Sequence, residues 1–341
     1  NSRIVVAGAS ECGLAVLESL LMSPSLHFTS ISLLAPGGVA VGGTTAIYTH
    51  SALAKLGLES RVKVIDAPLV GLDRESRVVV LADDTVLPYE CLVLATGLQD
   101  QTRDSIGIGV SSDEPVDRLT EVITGLPDED AAEMTSVVVY GGTMEAAIAV
   151  NELAKKGVNL AAVTCVVPDE MDGVYSVVSD LFSRTGDLPF VKMERGVLKG
   201  VKDSIATFVE PETGAVAQKQ VDLLVACDRP TVDPMVFKAL NDVSIVFDGR
   251  VVVDAGFRTN DADVYAAGSC AKFSRRHGGT HPMEHCNSKE VGAALARALV
   301  MRFTGLEPPS EPPALGMPKA LGGMILGGYQ FAWLSRPSAF A

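Results

Sequence analysis

Two glycine-centred turns carry the most explicit chemistry in this sequence: Gly8-Ala9-Ser10-Glu11-Cys12-Gly13 and Gly141-Gly142-Thr143-Met144-Glu145-Ala146. Each follows a short apolar run, Arg3-Ile4-Val5-Val6-Ala7 in the first case and Ser136-Val137-Val138-Val139-Tyr140 in the second. Each precedes apolar residues at helical spacing. A strand, a glycine turn and a helix together present backbone amides and the positive end of the helix to a phosphate. A dinucleotide site uses its glycines for a tight turn, for close approach of the backbone to pyrophosphate, and for close helix packing. The first turn supplies the first and third of these, Gly8 and Gly13, with Ser10 in the middle place. The second has Thr143 in the middle place and Ala146 in the third. The acid that holds an adenosine ribose should end the next strand. Those strands end Leu33-Leu34-Ala35-Pro36-Gly37 and Thr164-Cys165-Val166-Val167-Pro168. Neither contains an acid, and the second has no Arg for a 2′-phosphate, which argues against adenosine binding in the usual manner.

Other residue groupings carry less. His277, His281 and His285 share a four-residue spacing that could bind zinc on a continuous helix, but Gly278, Gly279 and Pro282 break any such helix, so no metal site is expected. Cys12 lies where a helix N-terminus can activate a thiol; a small buried apolar role is the expected one. The six cysteines are scattered with no C-x-x-C pair, which reads as reduced thiols in a cytosolic compartment. Lys272, Arg275 and Arg276 form a local basic patch, by default a solvated loop. Tyr329, Phe331 and Trp333 on the Gly-rich tail are either interface anchors or cover for the domain's own core.

The elements that must position these residues follow a recognisable order. Strands are expected at residues 30–34, 62–65, 91–95, 161–167 and 221–227, with a hairpin over Arg77–Leu81 and Val86–Leu87. A loop and short helix are expected over residues 35–60, and a polar connection over 99–132. The second glycine turn begins a repeat of the first unit at domain scale. A helix from Ser288 to Phe303 buries Val291, Leu295 and Leu299, and Glu307–Pro313 is a stiff extended linker. At 341 residues the chain is long enough for about two domains. Its net charge of −14, from 28 basic and 42 acidic residues, disfavours a nucleic-acid partner or an anionic membrane surface. No apolar run reaches the ~18 residues of a membrane helix. A start at Asn1, directly before an apolar strand, reads as a segment of a longer protein.

The order of first glycine turn, Ala95-Thr96-Gly97, second glycine turn, Ala266-Ala267-Gly268-Ser269 and final helix resembles the flavoproteins of the pyridine-nucleotide oxidoreductase type, over about residues 3–303. The resemblance implies an α/β fold of two Rossmann-like three-layer domains, as in FAD/NAD(P)-dependent oxidoreductases, without the C-terminal dimerisation domain. Residues 1–130 and 245–305 would form the FAD-type domain, 131–244 an inserted NAD(P)-type domain, and 306–341 a Pro/Gly-rich tail. Gly8, Ser10, Gly13, Thr96, Gly97, Gly268 and Ser269 would line the flavin site. Ser269 stands where that family carries an acid, and its redox cysteine pair is missing. Leu87–Gly97, Phe247–Arg250, Ala267–Ser274, Ser288–Gly292 and Gly322–Tyr329 also resemble the C-terminal region of the cilia- and flagella-associated protein 61 family. That resemblance implies a structural, axonemal role beside the radial spoke, with proteins of the spoke and of the calmodulin- and spoke-associated complex as partners. The expectation from these readings is a vestigial flavin site, no catalytic residue, no cofactor (FAD if any), and a non-catalytic interaction module of the motile cilium. The alternatives are an FAD-dependent NAD(P)H oxidoreductase and a nucleotide-sensing module.

Overall fold

A computed structural model describes residues 2–23, 26–40, 47–48, 61–101, 126–168, 192–277, 283–325 and 329–335. The chain forms two compact units: Asn1–Leu98 with Val232–Ala320 and Leu334–Ala341, and Gln99–Thr231 with Leu321–Trp333. Most of the expected loop and helix over residues 35–60, and most of the connection over 99–132, lie outside the described residues.

The first unit is built on a five-stranded parallel sheet in the order Val264–Ala266, Cys91–Leu94, Arg3–Ala7, Ser30–Leu34, Lys63–Ile65. Cys91, Leu92, Val93 and Leu94 are all buried, as are Ile4, Val5, Val6 and Ala7. Continuous apolar runs of this kind belong to parallel strands covered on both faces. The helix Glu11–Leu21 follows the central strand and packs against the helix Ser288–Phe303, which has the bounds expected from its periodicity. Val291, Leu295 and Leu299 are fully buried, and Phe303 is partly buried against the same core. The expected hairpin is present as Val78–Leu81 and Val86–Pro88, and Leu69–Asp73 adds a third antiparallel strand that the alternation did not announce.

The helix Pro234–Asp242 begins at Asp233, whose carboxylate accepts from the amides of Met235 and Val236 at 2.8 and 3.1 Å. It buries Val236, Ala239 and Leu240 in the first unit's core. The expected inserted domain took this helix with residues 131–244; the compact unit ends at Thr231 because the helix's apolar face packs against Leu69–Asp73.

The second unit carries a four-stranded parallel sheet in the order Lys192–Arg195, Val163–Val167, Val137–Tyr140, Leu223–Ala226. Alternation decides its two faces. Val137 and Val139 pack with Ala147, Val150 and Leu153 of the helix Met144–Lys155. Val138 and Tyr140 pack with Leu198, Ala206 and Phe208 of a three-stranded meander, Val197–Lys202, Ile205–Val209 and Val216–Gln220. Helix, sheet and meander are the three layers of a Rossmann-like domain, so the expected fold class stands. Glu307–Pro313 forms neither helix nor strand, and the tail ends in the strands Lys319–Ile325 and Tyr329–Ser335.

Gly292 is where the helices Glu11–Leu21 and Ser288–Phe303 meet. A Cβ there would lie 2.4 Å from the Cys12 carbonyl oxygen and 2.9 Å from the Ala15 Cβ. Helix propensity alone would make Gly292→Ala stabilising by about 1 kcal/mol. Overlap with a helix backbone that cannot rotate away makes it destabilising by about 1–3 kcal/mol instead. Urea denaturation followed at 222 nm decides the sign.

Candidate functional site

In an open parallel sheet, ligands bind beyond the carboxyl ends of the strands where the order reverses. In the first unit that place is the end of Arg3–Ala7, between Ser30–Leu34 on one side and Cys91–Leu94 on the other. Gly8 begins the turn there with φ +110°, and its amide donates to the Leu34 carbonyl at 2.9 Å. A Cβ on Gly8 would fall 2.2 Å from the Ala95 carbonyl oxygen. Both the backbone conformation and the space therefore require glycine. Ser10 caps the helix Glu11–Leu21: its hydroxyl donates to the same Ala95 carbonyl at 3.1 Å and accepts, over 3.5 Å, from the Gly13 amide. A Cβ on Gly13 would sit 2.1 Å from the Gly8 carbonyl, so the third glycine lets the helix close onto the turn.

The second unit repeats these contacts almost atom for atom. Gly141 has φ +146°, its amide donates to the Val166 carbonyl at 3.0 Å, and its Cβ would lie 2.2 Å from the Cys227 carbonyl oxygen. Thr143 caps the helix Met144–Lys155, donating to the Cys227 carbonyl at 2.6 Å and accepting from the Ala146 amide at 3.4 Å. One feature has no counterpart among the described carboxylates of the first unit. The Asp228 carboxylate accepts from the Gly142 amide at 3.0 Å, placing a negative charge of the protein's own against the second turn.

The residues expected to line a flavin site are brought together. The three turns that follow Arg3–Ala7, Cys91–Leu94 and Val264–Ala266 meet around a narrow cleft of about 70 Å³. Ser10, Cys12, Ala95, Gly97, Gly268 and Ser269 line it, joined by Met283, Glu284, Ser288 and Lys319. Thr96 lies between two of these lining residues; Gly8 and Gly13 shape the turn behind them. A Cβ on Gly97 would meet nothing but the Ser269 hydroxyl, at 3.8 Å, so the backbone there is open to the cleft.

Asp66 was not singled out by the sequence. It follows the strand Lys63–Ile65, whose Ile65 pairs with Leu34 in parallel register. Its carboxylate accepts from the Gly37 amide at 2.7 Å. An acid thus stands beside the end of Ser30–Leu34 after all, supplied by the neighbouring strand. Its other oxygen bonds to no described residue.

The reactive candidates resolve differently. None of the six cysteines forms a disulfide, and all six are buried. Burial pushes the Cys12 thiol far above its ordinary range, with a smaller contribution from Cys270, so the helix N-terminus does not activate it. Burial likewise pushes Cys91 and Cys165 up to about 12. His277 ends one short 3-10 turn and His285 ends another; His281 and the rest of residues 278–282 lie outside the described residues. In the basic patch, Lys272 and Arg275 both pair with Asp248, at 2.7 and 3.1 Å, and hold its carboxyl below the usual range. The side chains of Phe331 and Trp333 lie outside the described residues.

The sequence profile of the pyridine nucleotide-disulphide oxidoreductase family matches residues 2–293. The chain belongs to that family. Rhodocoxin reductase from Rhodococcus erythropolis is 26% identical over 243 residues, covering 70% of this chain and 54% of that protein. Cilia- and flagella-associated protein 61 from Tetrahymena thermophila is 39% identical over 125 residues, covering 33% of this chain and 7% of that protein. The chain thus spans about half, or far less, of the length of these curated relatives. The crystal structure of a ferredoxin reductase from Rhodopseudomonas palustris superposes with a TM-score of 0.67 at 20% identity, covering 94% of this chain and 80% of that one, a likeness of fold.

Family membership overturns the expectation of a non-catalytic, cofactor-free structural module and of a pseudoenzyme. The kinship with the ciliary protein is partial and distant, and it does not support a purely structural axonemal role. The physical reason lies in the turns. Ser10 and Thr143 were read as losses of a middle glycine, yet each is a helix cap that ties its turn to the third strand. The acid was sought at the end of Ser30–Leu34, while Asp66 stands at the end of the neighbouring strand, bonded to the Gly37 amide.

The thiols give a direct check. Because folded Cys91 and Cys165 ionise near 12 against an ordinary 9.0, the unfolded chain releases protons first. Stability is therefore full below about pH 9 and falls as pH rises toward 12. Native protein near neutral pH is expected to react negligibly with a thiol reagent over minutes, and all six thiols should react in strong denaturant.

Proposed function

We propose that this chain is an FAD-dependent NAD(P)H oxidoreductase whose flavin lies along the carboxyl ends of the first sheet. The observation that carries the reading is the cleft where the three turns of the first unit converge. The residues present fit such a group. By helix geometry the amides of Glu11 and Cys12 have no acceptor within the helix, and with the helix's positive end they suit a pyrophosphate. Gly97 opens its backbone to the cleft, and Gly268 and Ser269 form the adjoining wall. Asp66 would accept from the adenosine ribose, the role an acid plays in such folds. Bound FAD would supply a two-electron acceptor for the hydride of NAD(P)H.

The second turn, Gly141–Ala146, is the corresponding place for the nicotinamide nucleotide. Its phosphates would take the Gly142 amide from Asp228, so that carboxylate weakens binding by repulsion and competition. The buried, weakly acidic cysteines speak against a disulfide within this chain as the next electron carrier. The favoured acceptor is a separate molecule. The partial likeness to the ciliary protein supports a ciliary site of action.

Two measurements test this reading. Purified or FAD-reconstituted protein should show a flavin absorbance band that bleaches on anaerobic addition of NADH or NADPH. Protein that takes up no FAD on titration would sink the proposal. Asp66→Ala should weaken FAD binding about 10-fold, the cost of losing a charge-assisted hydrogen bond, and leave FMN binding unchanged. An equal loss for FMN, which has no adenosine, would remove Asp66 from the ribose site.

A further inference from the structure

Lys319 lies beyond the residues that match the family, which end at 293, yet it lines the same cleft as Ser10, Gly97 and Ser269. The chain is fastened to bring it there. The amides of Gly316 and Met317 donate to the two carboxylate oxygens of Glu290, at 3.1 and 2.9 Å. The Asn287 side-chain amide donates to the Pro318 carbonyl at 3.1 Å. The same Asn287 accepts from the amides of Lys289 and Glu290, both at 3.1 Å, and so caps the helix Ser288–Phe303. The first turn of that helix therefore holds Gly316–Lys319 in a fixed place at the cleft.

The Lys319 ammonium donates to the Glu284 main-chain carbonyl at 2.5 Å. Among the described residues no carboxylate pairs with it. The Glu284 carboxylate is taken by Arg250 at 3.0 Å, with His285 at 3.6 Å, and the Glu290 carboxylate by the two strap amides. The Cys286 thiol nearby is pushed up by burial and is neutral. In a chain of net charge −14, a half-buried ammonium facing a neutral carbonyl is an unusual expense of charge. It is well used if an anion enters the cleft. The cleft's other wall begins the helix Glu11–Leu21, whose positive end favours phosphate.

We propose that Lys319 is a phosphate-binding residue of the dinucleotide site, carried into it by the Glu290-anchored strap. This rests on the flavin reading above and adds to it a cation from outside the family's matched residues. The ammonium would exchange its carbonyl partner for a pyrophosphate oxygen and form a charge-assisted hydrogen bond. The carboxylates Glu284 and Glu290 remain bound to Arg250 and to the strap.

The test is a titration of the flavin-free protein followed by quenching of flavin fluorescence, with FAD and with riboflavin, which has no phosphate. Lys319→Met should weaken FAD binding about 10-fold or more and leave riboflavin binding within about two-fold. Lys319→Arg should recover most of the FAD affinity, and the difference between wild type and Lys319→Met should shrink as salt is raised. Equal losses for FAD and riboflavin would mean that the residue only shapes the cleft, and would overturn the proposal. Tighter FAD binding by Lys319→Met would overturn it too, because the lysine would then be filling the site. Failure of the flavin reading is separately visible, as absence of FAD uptake by the wild-type protein.

Discussion

The contact on which the first unit depends is between the Gly8 backbone and the Ala95 carbonyl. Three pieces of chain converge there: the end of the central strand, the end of the strand Cys91–Leu94 and the start of the first helix. The Ala95 amide donates to the Ala7 carbonyl at 2.8 Å, and the Ala95 carbonyl accepts from the Ser10 hydroxyl at 3.1 Å. A side chain on Gly8 would separate them. The approach fixes where the helix begins, and so where its unbonded amides are presented. The same arrangement around Gly141, Thr143 and Cys227 shows that one solution has been used twice in the chain.

A hydroxyl residue in place of a middle glycine changes what holds the turn. The side chain of Ser10 or Thr143 both caps its helix and bonds the neighbouring strand end. The two units then differ in the charges beside their turns. Around the first turn stand Glu11, Lys319, Glu284 and, one strand aside, Asp66. Against the second turn stands Asp228. In the second unit a carboxylate already takes an amide of the turn, although the backbone geometry of the two turns is shared.

Cofactor sites in such folds draw on residues far apart in sequence because the carboxyl ends of all parallel strands lie along one edge. Ser10, Gly97, Ser269 and Lys319 come from four separate stretches and line one cleft. Burial settles the chemistry of the cysteines in the same unit. Cys12 sits at a helix start that could activate a thiol, but removal from water outweighs the helix dipole, and it behaves as a small apolar side chain.

Local sequence determined much of this protein. The apolar runs and helical spacing are short-range properties, so the strands around Val5, Val93 and Val138 and the helix Ser288–Phe303 were legible, as was the repeat of strand, turn and helix. The set Gly8, Ser10, Gly13, Thr96, Gly97, Gly268 and Ser269 could be named together because each belongs to a turn that directly follows a recognisable strand, and the fold brings those turns to one end of the sheet. What the tertiary structure alone decided depends on register and on who sits beside whom. Asp66 reaches Gly37 only because Ile65 pairs with Leu34. Lys319 reaches the cleft only because Glu290 and Asn287 hold a distant strap. The helix Pro234–Asp242 joins the first unit through packing against a strand about 160 residues earlier in the chain. The meaning of Ser10 and Thr143 was decided in the same way: a residue's identity shows that a glycine is absent, while its hydrogen-bond partners show that the turn is intact.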